Sequence, residues 1–329
     1  MRRREVLGLG LAALSAPLVT LLRASAQAKY PDRPIKLVIP FPPGGVNDAV
    51  GRPWADKMKG LLGTVVVENV GGAGGAVGAL AVARAQPDGY TLLLGSGGTQ
   101  VIIPIASSHA QYDPVKAFET ISLLGITAVC IAVHPSVPVH TLQELIAYAK
   151  ANPGKLSYGS AGSGTMTHLT GELFKVLAAT PDIVHIPYRG AGPALTDAIS
   201  GHIPMITPNV TGQVIELNKT GKLRILAVTT PTRVAAAPEI PTAIEAGLPN
   251  MISQNFVALF APAGTPRAII DQVAQATRAG LSDRELQELF HQAAFEPRPD
   301  SGPEHARRFL DDEIMRWSPI IKAIKLKLD

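Results

Sequence analysis

Short apolar runs punctuate the chain at residues 35–41, 64–68, 90–94, 129–133, 155–158, 183–188, 203–207 and 223–228. Their β-branched content and turn-forming flanks predict strands. Helical stretches separate most of them. Thr141-Leu142-Gln143-Glu144 is a capping box opening a helix that should stop near Asn152-Pro153-Gly154, and Ser282-Asp283-Arg284-Glu285 predicts another. Thr265-Pro266 predicts a third helix with proline at its first position. Alternation of this kind implies an α/β fold of mainly parallel sheets joined by right-handed crossovers. In such sheets ligands collect beyond the carboxyl ends of the strands.

Three strands run directly into glycine-rich turns and then into helical pattern. The first is LVIPFPPGGVND at residues 37–48. The second is 155–158 followed by Gly159-Ser160-Ala161-Gly162-Ser163-Gly164-Thr165, with a helix from Met166 through Leu177. The third is 183–188 followed by Arg189-Gly190-Ala191-Gly192-Pro193, with a helix over 194–199. A helix start offers unpaired amides and the positive end of a dipole, so it holds an anion without a basic side chain. Glycines let a ligand reach the backbone, and Ser160, Ser163, Thr165 and Tyr188 add hydroxyl donors. Taken singly, each turn serves equally well as a tight connection. Together they suggest one anion-binding cleft.

Length sets the domain count. At 329 residues the chain exceeds what one core usually serves, so two lobes are expected. Residues 1–28 read as a cleaved export signal. Arg2, Arg3 and Arg4 precede an apolar run over 6–22, and Ala24-Ser25-Ala26 or Ala26-Gln27-Ala28 supplies the small residues for cleavage after Ala26 or Ala28. A membrane anchor is the alternative, but Gly8, Gly10 and Pro17 break the run. Secretory and twin-arginine export both fit.

The signal carries Arg2, Arg3, Arg4, Arg23 and Glu5, so the formal charge of +4 falls to near neutrality without it. Neither nucleic acid nor an anionic membrane surface is implied as partner. Cys130 is the single cysteine; it excludes an intrachain disulfide and reads as a core residue.

Enzyme motifs find little support. There is no G-x-G-x-x-G, no P-loop and no G-x-S-x-G, and no two histidines stand two to four residues apart as local zinc sites require. No cofactor and no metal are expected. Ser160 with His168 and a remote aspartate keeps a secreted acyl hydrolase as the rival reading.

The order of YPDRPIKLVIPFPPGGVND, VVVENVGGAGG, QPDGYTLLLGS, ELIAYAKANPGKLSYGSAGSGTMTHLTGELF, HIPYRGAGPALTDAISG, LAVTTPTR, IPTAIEAGLP and FAPAGTP resembles the substrate-binding proteins of tripartite tricarboxylate transporters, the Bug or TctC-like family. The match covers essentially the whole chain after residue 28. The resemblance implies a periplasmic receptor with a type II-like two-lobe fold that closes by a hinge over a small carboxylate. Its implied lobes are 29–128 plus 254–329, and 129–253. Its implied partners are that ligand and the permease subunits of the transporter, with the chain a monomer. A receptor that presents ligand to a membrane sensor fits the same sequence.

Carried over residue by residue, the resemblance implies ligand contacts at Phe41, Pro43, Gly44, Gly45, Asn47 and Asp48, and at Ser160, Ala161, Gly164, Thr165 and His168. Tyr188, Arg189 and Gly190, the segment Ser96 to Thr99 with Gly97, and Phe256 would complete the wall. Asn47 or Asp48 could equally be an N-cap, and Asp48 is assigned to shaping the turn because its charge would repel a carboxylate. Arg189, the one cation in the three turns, could grip a second carboxylate or lie solvated at the rim. His168 reads as a packing or hydrogen-bonding residue. Two departures from the family pattern bear on specificity: Phe256 where tryptophan is common, and Val70-Gly71 in place of Arg-Pro. Pro53 should remove a hydrogen bond from the first helix and kink it.

Overall fold

The computed structural model describes residues 30–328; the predicted export signal lies outside them. The described strands are β1 (Ile35–Ile39), β2 (Val65–Asn69), β3 (Thr91–Ser96), β4 (Phe118–Ala128), β5 (Cys130–Val133), β6 (Ser157–Ser160), β7 (Val184–Pro187), β8 (Met205–Ile206), β9 (Arg224–Val228), β10 (Gln254–Pro262) and β11 (Phe295–Pro297). They form two sheets, of order β11-β4-β10-β3-β1-β2 and β7-β6-β8-β5-β9, each flanked by helices and each the centre of a lobe.

The sheets are mixed instead of mainly parallel. β1 pairs parallel with β2 and β3, while β10 runs antiparallel to both β3 and β4, and β11 antiparallel to β4. In the second sheet β6 is parallel to β7 and β8, and β5 antiparallel to β8 and β9. The antiparallel members arise where the chain crosses between sheets. It leaves the first sheet along β4, enters the second at β5, and returns into the first along β10. β4, β10 and β11 were not among the predicted strands. Two register shifts in the β4–β10 pair blur its alternation.

Period-two alternation sorts the core. Ile35, Leu37 and Ile39 of β1 with Val257, Leu259 and Ala261 of β10 face Trp54 and Met58 of the helix Val46–Leu61. Val38, Phe256 and Phe260 face the other way, toward Trp317 and Ile321 of the helix Pro303–Ala323. Cys130 is a free, buried thiol in the second sheet's core, where burial pushes its pKa up.

Local details correct two expectations. The helix Arg284–Gln292 is capped by Asp283, whose carboxylate accepts from Leu286 N–H, not by Ser282. Pro266 is the N-cap of Arg267–Leu281, so that helix begins one residue later than predicted. The helix Val46–Leu61 continues through Pro53. The box at Thr141 caps Leu142–Ala151 as expected, with its side chain accepting from Glu144 N–H.

Thr229 ties the two crossings together. Its Oγ1 shares its single proton between the carbonyls of Val129 and Ser253, and Ser253 N–H donates to the Thr229 carbonyl. No helix among the described residues is long and apolar enough to cross a membrane.

Candidate functional site

Three helices begin at the cleft between the sheets. Val46–Leu61 follows β1, Met166–Leu177 follows β6, and Ala191–Ile199 follows β7. Each is preceded by a residue in non-helical conformation: Gly45, Thr165 and Gly190. The first amides of each helix have no intrahelical acceptor. Gly45, Val46 and Asn47 from the first start, Thr165, Met166 and Thr167 from the second, and Gly190 and Ala191 from the third line one inner chamber. Phe41, Pro42, Ser96, Ala161, Asn209 and Asn255 complete it. Its volume is about 40 Å³. That is room for roughly three water-sized groups. No ionisable side chain lines it, so its field comes from three helix dipoles of about half a charge each.

An outer cavity of about 880 Å³ adjoins it, sharing Phe41, Pro42, Ala161 and Gly190. Its wall includes the loop Gly71–Ala76, Pro43, Tyr188 and Arg189, and Arg189 is the only charged residue in that lining. Gly71 lies against Pro42: a Cβ there would stand 2.9 Å from Pro42 Cδ. Glycine at position 71 thus lets the loop lie close to the first turn.

The side chains of several predicted residues are engaged by neighbouring groups of the protein. Asp48 does not cap the helix, a place Gly45 takes with no side-chain bond. Its carboxylate accepts from Arg52 Nε and Asn69 Nδ2 and faces Gly44 N–H at 3.5 Å. Burial pulls its pKa up, but the Arg52 and Asn69 hydrogen bonds outweigh this and hold it below the usual carboxylate value. Asn47 is no cap either; it is buried, with Nδ2 donating to the Leu94 carbonyl. Gly97 N–H donates to Asn255 Oδ1. Phe256 packs edge-on against Phe309 in the core, away from the chamber.

Ser160, His168 and Gly164 form a support under the second turn. Ser160 Oγ bonds His185 Nε2 at 2.7 Å and accepts from Gly162 N–H, so His168 is not its partner. Ser160 is buried and lines neither cavity. His168 Nδ1 accepts from Gly164 N–H at 3.2 Å, and its ring stacks on His185 at 3.9 Å, which in turn stacks with Tyr158 at 4.8 Å. The Ser160–His168 pairing expected of a hydrolase is therefore absent.

Burial, aided by the charge of Lys175, pushes the His168 pKa down to about 4. Burial and then His168 push His185 down to about 3. A histidine in the unfolded chain titrates near 6.5. Between that value and about 4 the unfolded state binds more protons, so stability is fully present above pH 6.5 and is lost as pH falls toward 4. His168 alone contributes up to about 3 kcal/mol to that loss. Thermal midpoints measured from pH 7 to pH 4 should fall through this window, and His168→Gln should flatten the slope.

Asn209, Asn255, His185, Thr167 and Ala191 were not singled out from sequence. His185 and Thr167 stood inside quoted motifs, and Ala191 within the third turn. Nothing local marks Asn255 or Asn209, because only the fold brings them to the site.

Residues 50–326 match the sequence pattern of the tripartite tricarboxylate transporter family receptor. The chain belongs to that family. Protein BugT of Bordetella pertussis is 33% identical over 301 residues, covering 91% of this receptor and 91% of BugT. Among solved structures, the periplasmic binding protein BugD superimposes with a TM-score of 0.86 at 33% identity, covering 91% of this receptor and 99% of BugD. MatC (Rpa3494) from Rhodopseudomonas palustris, solved with bound malate, gives a TM-score of 0.84 at 29% identity, covering 89% and 100%.

Proposed function

We propose that this receptor works in the periplasm, after loss of residues 1–28, where it binds a small carboxylate between its lobes and delivers it to the permease subunits of a tripartite tricarboxylate-type transporter. The observation that carries this reading is the convergence of three helix starts on one chamber without an ionisable side chain. Charge-assisted bonds to such amides contribute about 1.5–3 kcal/mol each, so a handful suffices for roughly micromolar binding.

Lobe one takes residues 29–128 and 254–329, and lobe two 129–253, in keeping with where the chain changes sheets. Gly45, Asn47, Ala161, Thr165 and Gly190 contact the carboxylate. Phe41, Pro43, Tyr188 and Arg189 contact what is attached to it. Asp48, Gly44, Ser160, Gly164 and His168 hold the turns in shape. As a receptor it needs neither catalysis nor a cofactor, and the buried Ser160–His185 pair lines neither cavity. MatC's malate is in line with a small acid of this kind.

A thermal-shift screen of residues 29–329 against mono-, di- and tricarboxylates, aromatic acids and amino acids, with an esterase assay beside it, tests the reading. Stabilisation by an acid without turnover is expected; turnover lost in Ser160→Ala would overturn it. Arg189 has no ion-pair partner among the described residues. Arg189→Ala should weaken dicarboxylates about tenfold and monocarboxylates hardly at all, measured by calorimetry.

A further inference from the structure

The chamber floor is a chain of side-chain amides whose orientation is fixed chemically. Gly97 N–H faces Asn255 at 3.3 Å, and only the carbonyl oxygen of that side chain can accept from it. Asn255 therefore turns its NH₂ toward Asn209, which meets it with Oδ1 at 3.3 Å. The Asn209 NH₂ is left over, and it has no hydrogen-bond partner among the described residues while Asn209 lines the chamber. Asn47 is polarised the opposite way. Its NH₂ is committed to the Leu94 carbonyl, which leaves Oδ1 as an acceptor on a buried residue of the same lining.

The chamber thus offers two things beyond its backbone amides: one side-chain donor and one side-chain acceptor. The amides are donors and suit the two oxygens of a carboxylate. A carbonyl or ether oxygen would answer Asn209 and leave Asn47 facing another acceptor. An ammonium would answer Asn47 and repel the Asn209 donor and three helix starts. A hydroxyl answers both at once, accepting from Asn209 and donating to Asn47. With about 40 Å³ for head group and neighbour together, that hydroxyl must sit on the carbon next to the carboxylate.

We infer that Asn209 and Asn47 select 2-hydroxycarboxylates, with Asn255 as the residue that positions Asn209; the inference rests on the receptor reading given above. Asn209 comes from the second lobe, through its bridge to Val129, and Asn255 from β10 of the first. The contact that positions Asn209 therefore bridges the two lobes where the chain crosses between them.

The test uses the mature chain and pairs of acids that differ by one hydroxyl: propionate and lactate, succinate and malate, phenylacetate and mandelate, hexanoate and 2-hydroxyhexanoate. Calorimetry should give at least tenfold tighter binding of the hydroxylated member of whichever pairs bind. Asn209→Ala should bring that ratio to about one, the hydroxylated member losing more affinity than the unsubstituted acid. Asn255→Ala should lower the ratio in part, because the donor remains but is free to turn, and it provides the test should Asn209→Ala not fold. Binding with equal affinity within pairs, or a ratio that survives both substitutions, overturns this inference and leaves the receptor reading standing. No binding by any of the acids overturns both.

Discussion

Gly45→Val should lower carboxylate affinity by a factor of one hundred or more while leaving the thermal midpoint within about two degrees. Gly45 caps the helix Val46–Leu61 with φ −92° and ψ 177°, a conformation open to any L-residue. A Cβ there meets nothing within 4 Å, so the fold accepts the side chain. The free space into which it grows is the inner chamber, because Gly45 lines it. Three added carbons fill most of about 40 Å³ and shield the amides of Val46 and Asn47. A hundredfold loss corresponds to about 2.7 kcal/mol, less than two charge-assisted bonds. Calorimetry beside a melting curve checks both halves. Unchanged affinity would place the carboxylate elsewhere.

The second large effect is expected at Gly74, for a different reason. Its loop, between β2 and β3, touches the second lobe's glycine turn: a Cβ on Gly74 would lie 2.1 Å from the Ser163 carbonyl oxygen. Nearby, a Cβ on Gly98 would lie 3.0 Å from the Gly164 carbonyl oxygen. The lobes meet here through bare backbone. Gly74→Ala should hold them apart and weaken binding at least tenfold, chiefly through faster release, since closure is the step that traps the ligand. Gly74 also sits at φ +63°, where alanine is strained by about 1 kcal/mol, so the melting temperature falls slightly as well. Stopped-flow release rates separate the two contributions. A lower melting temperature with unaltered release would mean that strain is the whole effect.

What the sequence made legible was the set of strand-turn-helix units. Their signals are local: β-branched runs for β1 and β7, the alternating Leu156 and Tyr158 ahead of the glycine-rich turn for β6, glycines after each, and a helix opening at Met166. Strands β4 and β10 escaped because they are buried on both faces and interrupted by bulges, so their apolar runs carried no clean period. Asp48 shows the limit of reading a cap from residue type. Gly45 already provides the extended entry, and Arg52 and Asn69 capture the carboxylate that would otherwise have turned back on the helix. The Asn255–Asn209 pair escaped for a topological reason, as its members lie 46 residues apart and meet only where the chain returns between sheets.

The three helix starts also bear on how such a receptor can change over evolutionary time. A donor that belongs to the main chain survives nearly every substitution at its own position. Val46, Met166 and Ala191 can therefore vary in side chain, reshaping the chamber wall, while their N–H groups stay where they are. Only proline deletes such a donor outright. Grip on the acid group and choice of what the acid carries are thus inherited separately, so a new ligand can be acquired by ordinary side-chain drift without first losing the old hold.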